Sequence, residues 1–312
     1  MWWQVAFLSA VLLGCYDVFK KRALKNNAVS MVLMLNTLFC SLLFLPLIVG
    51  SAAGCICPGS LLYVPMGSMA EHGWIFLKAA IVLSSWLLGY VGLKHLPLTI
   101  VGPINATRPV MVLLGALILF GERLGILQWV GVMLAVISFY LLSLSGKKEG
   151  IRFAHNRWIY CIVMAAVLGA ASGLYDKFLL TPKLQGGLGL DRMMVQGWYN
   201  GYQFLMMAFV VFSLGRRGGE KHGGIFQDGD RFHWEWSILL ISLFLTLADF
   251  VYFYALSMPE ALVSVVSMIR RGSVVVSFLF GALLFREKNL RAKFFDLLLV
   301  MLSMVFLWLG SR

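Results

Sequence analysis

The chain has 312 residues, 60% of them hydrophobic and only 13% charged, with a mean hydropathy of +0.85 and a formal net charge of +12. So apolar a composition excludes a water-soluble globule. Nor does the positive charge imply nucleic acid, because in a membrane protein Lys and Arg first set the topology.

A helix needs about 20 mainly apolar residues to cross a hydrocarbon core about 30 Å thick. Ten such windows can be drawn, at 3–19, 28–50, 73–93, 98–120, 124–145, 158–180, 190–214, 234–257, 260–285 and 290–310. They lack the alternation of barrel strands, and backbone in lipid must be satisfied internally, so each is read as an α-helix. Linkers are short apart from 51–72, 146–157 and 215–233, which leaves no room for a separate soluble domain. The expected fold is an all-α integral membrane protein of ten transmembrane helices.

Span 1 begins with the uncharged leader Met1-Trp2-Trp3-Gln4, and its basic cluster Lys20, Lys21, Arg22, Lys25 follows the apolar run. That reverses the charge order of a cleavable signal, so a retained helix is expected. The span also holds Gly14-Cys15-Tyr16-Asp17-Val18-Phe19. Span 2 carries Asn36, and the loop after it contains Cys55-x-Cys57-Pro58, readable as a redox-labile pair or as an ordinary interfacial loop. Five cysteines, an odd number, suggest no disulfide framework.

Pro97 opens span 4, and Arg108 lies about ten residues into it. Span 6 ends near Gly173-Leu174-Tyr175-Asp176-Lys177-Phe178, a second G-x-Y-D-x-F. Span 7 places Gln196, Asn200 and Gln203 on one helical face, with Tyr199 and Tyr202 alongside. Asp249 lies deep in span 8, and span 9 carries Arg270 and Arg271.

The repeated hexapeptide points to a duplication, and other polar positions agree with it. Asn36 matches Asn200, and one shared offset carries Pro97 onto Pro259 and Arg108 onto Arg270. The run Gly115 to Glu122 corresponds to Gly281 to Glu287 with one residue of slippage. Apolar helices resemble one another by chance, but matched Asp, Asn, Arg and Glu residues do not. Residues 1–146 and 158–312 are therefore read as two five-helix repeats joined by a linker at 147–157. An odd number of spans inverts the second repeat, which is a recurring secondary-transporter plan with a substrate site near the midplane.

The odd-numbered loops hold most of the 26 Lys and Arg residues, whereas the opposite face has Lys78, Arg123, Lys177, Lys183, Arg192 and Arg312. By the positive-inside rule both termini lie outside the cytoplasm.

Pro109, Phe120-Gly121-Glu122-Arg123-Leu124 and Gln128-Trp129-Val130-Gly131, together with Tyr252-Phe253-Tyr254-Ala255-Leu256 before Pro259, resemble the EamA-type drug/metabolite transporters. The resemblance covers nearly the whole chain. It implies a ten-helix, two-repeat secondary carrier of small organic molecules that uses no ATP, and cytoplasmic termini, opposite to the charge bias. It also implies an end-of-helix structural role for Glu122 and Glu287. The chain departs from the pattern in the loop after span 2, which lacks the usual basic residues, and at Arg286-Glu287-Lys288, where the family has Gly-Glu.

Ionisable residues within spans cost about 2.5 to 3.5 kcal/mol each on translocon scales, so they face a partner or a wet cavity. At ~1.5 Å per residue, Arg108 and Arg270 both lie about 15 Å deep. A guanidinium suits bidentate contact with carboxylate or phosphate, so Arg108 and Arg270 either bind an anionic or zwitterionic substrate or, together with Arg271, are neutralised in structural ion pairs by the equal number of aspartates, Asp17, Asp176 and Asp249. Asn36, Gln196, Asn200 and Gln203 either line the substrate path or hydrogen-bond between helices. Asp249 is the deepest candidate for proton coupling, while Tyr16 and Tyr175 read as interfacial anchors.

The expected activity is transport of a small metabolite across a bacterial-type inner membrane by alternating access, with no enzymatic step, cofactor, metal or nucleic acid. An integral membrane enzyme acting on lipid-linked substrates would require paired carboxylates, or a nucleophile with its base, at one membrane face. A flippase for lipids or lipid-linked sugars would differ mainly in a cavity opening sideways to the bilayer. No Walker A, HExxH or GxSxG signature with its required context is present.

Overall fold

The structure, a computed structural model, describes residues 2–108, 110–111, 114, 125–147, 155–216, 231–256, 266, 269–284 and 290–310. Among them are ten α-helices: α1 (Trp2–Ala23), α2 (Val29–Ala52), α3 (Met69–His95), α4 (Leu98–Ala106), α5 (Ile126–Lys147), α6 (Arg157–Leu180), α7 (Arg192–Arg216), α8 (Ser237–Leu256), α9 (Ser273–Leu284) and α10 (Leu290–Gly310). Each falls within or closely overlaps one hydropathy window, and no strand occurs among the described residues. Pro109, Phe120 to Leu124 with Glu122, Pro259, Arg286-Glu287-Lys288 and Arg312 lie outside them.

The protein is an all-α membrane protein. α2, α3, α6 and α8 are individually long and apolar enough to cross a hydrocarbon core. Large apolar side chains such as Val49, Phe76, Phe209 and Phe212 are exposed along the helices. An outer surface of this kind suits lipid rather than water.

Local chemistry sets the helix ends. Lys20, Lys21 and Arg22 occupy the last turn of α1, where cations complement the helix dipole. The chain then turns through Asn26 at φ 52°, a left-handed position that Asn tolerates. Ser68 caps α3 in a reciprocal capping box with Glu71. Asp191 accepts hydrogen bonds from the backbone N–H groups of Met193 (2.7 Å) and Met194 (3.1 Å), fixing the start of α7.

The largest core joins α1, α2, α3, α4, α6, α7 and α8 through buried residues including Leu33, Tyr90, Ile100, Ile162, Met207 and Ile241. The helix pairings include α1 with α8, α3 with α6, α1 with α9, α4 with α6, α2 with α8, α3 with α7, and also α4 with α10. Three further pairings are α2 with α7, α4 with α9 and α5 with α10.

The two copies of the repeated hexapeptide differ in how their glycines are packed. A Cβ on Gly14 would lie 2.5 Å from Val276 Cβ and 3.0 Å from the Ser273 carbonyl oxygen, so the missing side chain lets α1 and α9 approach closely. At Gly173 a Cβ meets nothing within 4 Å. Gly14→Ala is therefore expected to cost about 1–3 kcal/mol as an overpacking change, whereas Gly173→Ala should be neutral or stabilising through helix propensity. Thermal unfolding in detergent compares the two, and equal effects would contradict the α1–α9 contact.

Candidate functional site

Helical geometry is interrupted beside both arginine positions. α4 ends at Ala106; Thr107, its C-cap, keeps right-handed backbone angles (φ -77°, ψ -6°) and donates its hydroxyl to the Ile104 carbonyl at 2.7 Å, and Arg108 follows directly in helical conformation. In the second half, Ile269, Arg270 and Arg271 are helical and Gly272 is a turn, its N–H donating to the Ile269 carbonyl at 2.9 Å before α9 begins. The expected span over 98–120 is thus broken at Thr107, and the expected span over 260–285 is broken at Gly272.

Arg108 extends towards α6. A Cβ built on Gly169 would lie 2.7 Å from the guanidinium carbon, so Gly169 is the space the guanidinium occupies. Arg108 Nη2 donates to Asn105 Oδ1 at 3.0 Å, and Nε is buried without a partner. Among the described residues Arg108 has no carboxylate within ion-pair distance. Arg271 has neither an ion pair nor a hydrogen bond there, and it lies within electrostatic range of Arg108, Arg270 and Asp17. Gly169→Ala should press the guanidinium out of its seat while leaving the fold intact, because the group displaced is the flexible end of a side chain. Any ligand held by Arg108 would then bind several-fold more weakly at unchanged melting temperature, as isothermal calorimetry would read.

Arg270 is committed elsewhere. Its Nη2 donates to Asp249 Oδ1, Tyr199 donates to Asp249 Oδ2 at 2.9 Å, and the guanidinium stands 4.3 Å from the Tyr252 ring centroid. Asp249, 7% exposed, is thereby held by a cation and a hydroxyl in the interior.

The repeated aspartates take lysines, not arginines. Asp17 accepts from Lys20 Nζ at 2.8 Å and from Ser277 Oγ at 3.3 Å. Asp176 pairs with Lys78, which is 3% exposed and stands 5.1 Å from the Tyr199 ring centroid. Grouping Lys78 with the loop charges is therefore corrected: it is an interior residue of α3, tolerated because Asp176 of α6 offsets its charge. Tyr16 is corrected likewise. It is 4% exposed and donates to Tyr90 at 3.3 Å, so it is a core residue and not an interfacial anchor.

The amide residues form a polar seam between α2, α7 and α8. Asn36 donates to Tyr90 OH at 3.1 Å and accepts from Ser242 at 3.0 Å, so its side chain ties α2 to α3 and α8. Asn200 donates to the Gln196 carbonyl at 3.0 Å, and its own carbonyl accepts from Ser41 at 2.8 Å. Gln196 Nε2 reaches the Thr246 carbonyl at 3.4 Å, with Oε1 unpartnered. Gln203 is fully buried, and both of its amide atoms lack partners among the described residues. An unmet buried amide costs about 1–3 kcal/mol, so Gln203 is a candidate contact for a bound polar group or water.

Lys78 and Tyr90 are the site residues that sequence reasoning missed. Tyr90 stands to Tyr252 at the same sequence offset as Pro97 to Pro259, a signal the sequence offered. Lys78 had no such counterpart. No group of three or more His, Cys, Asp or Glu residues is placed for a metal among the described residues, and the thiols of all five cysteines are free.

Residues 1–144 match the model of the EamA-like transporter family. A curated relative, named as the probable 4-amino-4-deoxy-L-arabinose-phosphoundecaprenol flippase subunit ArnE of Pectobacterium atrosepticum, is 39% identical over 71 residues. That match takes in 23% of this chain and 63% of the relative, so the chain spans less than two thirds of the curated protein it resembles. A protein of known crystal structure, 13% identical, superposes over 99% of this chain and 98% of its own with a TM-score of 0.60, a likeness of fold.

Proposed function

We propose that the chain, whose residues 1–144 match the model of the EamA-like transporter family, is a ten-helix secondary transporter that carries a small organic anion or zwitterion across the inner membrane by alternating access. The observation that carries this reading is the interior charge balance. Lys20, Arg108, Arg270 and Arg271 gather there against Asp17 and Asp249, and neither Arg108 nor Arg271 is ion-paired among the described residues. Lys78 and Asp176 cancel one another. Buried Asp296 of α10 adds one acid on the far side of the bundle, against α5, so an excess of one cation remains among these interior residues, and the half-buried guanidinium groups call for an anionic ligand.

The repeat organisation, 1–146 and 158–312 about a linker at 147–157, belongs to the same proposal. Exchanging each helix for the one five positions on turns α1–α8 into α6–α3, α1–α9 into α6–α4, and α2–α8 into α7–α3, all of which are packed pairs. The pairs α2–α7, α4–α9 and α5–α10 map onto themselves. That pattern supports a two-fold arrangement with α4 and α9 meeting near the axis. The turns at Thr107 and Gly272 put broken helices beside the arginines, as transporter sites commonly do. In this reading the substrate exchanges between Arg108 and Arg271 while α1 and α6, each carrying one repeated aspartate, rock against the opposite half. Proton exchange at Asp249 would compete with Arg270 for the same carboxylate. Gln196 and Gln203 serve as polar contacts, and Asn36 and Asn200 hold the seam in register. No chemical conversion is part of the cycle.

A second reading, a flippase for a phosphate-bearing lipid-linked sugar, is favoured by the resemblance to the flippase subunit. It uses the same arginines on a phosphate.

A thermal-shift screen of purified protein against small carboxylates, phosphates, neutral sugars and amines tests the proposal. Anions and zwitterions should stabilise the parent protein and lose that effect in Arg271→Gln. Stabilisation by amines alone, or equal stabilisation of the variant, would overturn it.

A further inference from the structure

A cavity of about 930 Å³ lies at the end of the bundle where α1 and α9 finish and α8 begins. It is separate from the interior site. On α1 its walls use Cys15, Val18, Phe19 and Arg22, a face spaced i, i+3, i+4, i+7, whereas Asp17 and Lys20 point to the other side of the helix. Phe19 stacks on Phe244 of α8 with ring centroids 5.3 Å apart, and Phe280 and Leu284 of α9 complete an apolar wall. Phe280 is 40% and Leu284 61% exposed, so the apolar wall of the cavity is partly open at the surface of the bundle.

Its rim has the opposite chemistry. Lys25 has no ion pair among the described residues, Arg22 shares its charge with Glu235 at 2.8 Å, and His233 sits beside them. Lys20 and Lys21 are committed elsewhere, to Asp17 and to the carbonyls of Leu93 and Leu96. The groove thus has aromatic and aliphatic walls at membrane depth and cations at the helix ends. A neutral or cationic lipid would leave Lys25 unmatched, whereas a phosphate satisfies the rim and an acyl chain fills the walls. Basic pockets between transmembrane helices bind anionic headgroups by this means, and the volume lies within the range of ligand sites.

The geometry points to a binding site for an anionic bilayer phospholipid. Its headgroup phosphate lies at Arg22 and Lys25, and one acyl chain lies between α1, α8 and α9 against Phe19, Phe244 and Phe280. The site is independent of the substrate carried in the interior. Because the lipid bridges α1, α8 and α9, it stabilises the packing of the first helix against the second half of the chain.

Native mass spectrometry and thermal unfolding of the full chain, with phosphatidylglycerol or phosphatidylcholine added to the detergent, test the site. Phosphatidylglycerol should be retained and should raise the melting temperature, and phosphatidylcholine should do neither. Arg22→Gln with Lys25→Gln should cut retention at least threefold. The same-face control Arg157→Gln with Arg291→Gln should leave it unchanged, as should Arg108→Gln in the interior. Phe280→Trp keeps every charge but fills the groove, and it should also lower retention. Equal retention of both lipids, an equal loss in the control pair, or full retention in Phe280→Trp would overturn the inference.

Discussion

Arg108→Gln is expected to weaken binding of the anionic substrate about 10- to 150-fold without lowering thermal stability. Charge-assisted hydrogen bonds contribute about 1.5–3 kcal/mol, and each 1.4 kcal/mol is tenfold in affinity. The stability side follows from the partners. Arg108 has only the Asn105 amide to lose, its Nε is already unmet, and no carboxylate among the described residues would be orphaned by its removal. Deleting an uncompensated interior charge removes a desolvation cost, so the melting temperature without ligand should equal or exceed that of the parent. Arg108→Lys retains the charge but not the planar fork, and it should bind with intermediate affinity. Calorimetry for affinity, paired with uptake into proteoliposomes, checks both halves. Full affinity in Arg108→Gln would remove the anion site, and a large fall in stability would mean that Arg108 is chiefly a structural residue.

Asp249→Asn should have the largest effect on folding. It strips Arg270 of its carboxylate and leaves Tyr199 with a neutral acceptor, at a site where the two charged side chains are 16% and 10% exposed. Breaking a buried pair from one side typically costs about 3–5 kcal/mol, because the remaining charge is uncompensated, whereas removing both partners is often close to neutral. The double variant Asp249→Asn with Arg270→Gln should therefore recover most of the lost stability. Thermal unfolding of the parent, both single variants and the double variant gives the coupling directly. Strict additivity would mean that the two residues do not act as a pair.

These two variants show why the arginines could not be told apart in one dimension. In the sequence Arg108 and Arg270 are matched by the same offset as Pro97 and Pro259 and lie equally far into their spans, so they read as one functional pair. In three dimensions Arg270 meets Asp249 from α8, while Arg108 runs against Gly169 of α6 with no carboxylate within ion-pair distance among the described residues. Counting three aspartates against three arginines was sound arithmetic and a wrong pairing, because two of the aspartates take Lys20 and Lys78. The span 7 stripe was legible as a polar face, yet its members divide. Asn200 is hydrogen-bonded within the seam, whereas Gln203 has both amide atoms unmet.

Membrane class and helix positions followed from the sequence alone. Hydropathy over about 20 residues is a local quantity, and repeated polar residues are visible as strings. The basic cluster after span 1 was also readable, since charges at a helix end act on the nearest turn, whereas the caps at Ser68 with Glu71 and at Asp191 emerged only in the structure. Only the tertiary structure decided which charges neutralise each other, that helices break at Thr107 and Gly272, and that a groove opens between α1, α8 and α9. Those features depend on partners far apart in the chain, such as Lys78 with Asp176 and Phe19 with Phe244, and interior electrostatics are set by distance in space.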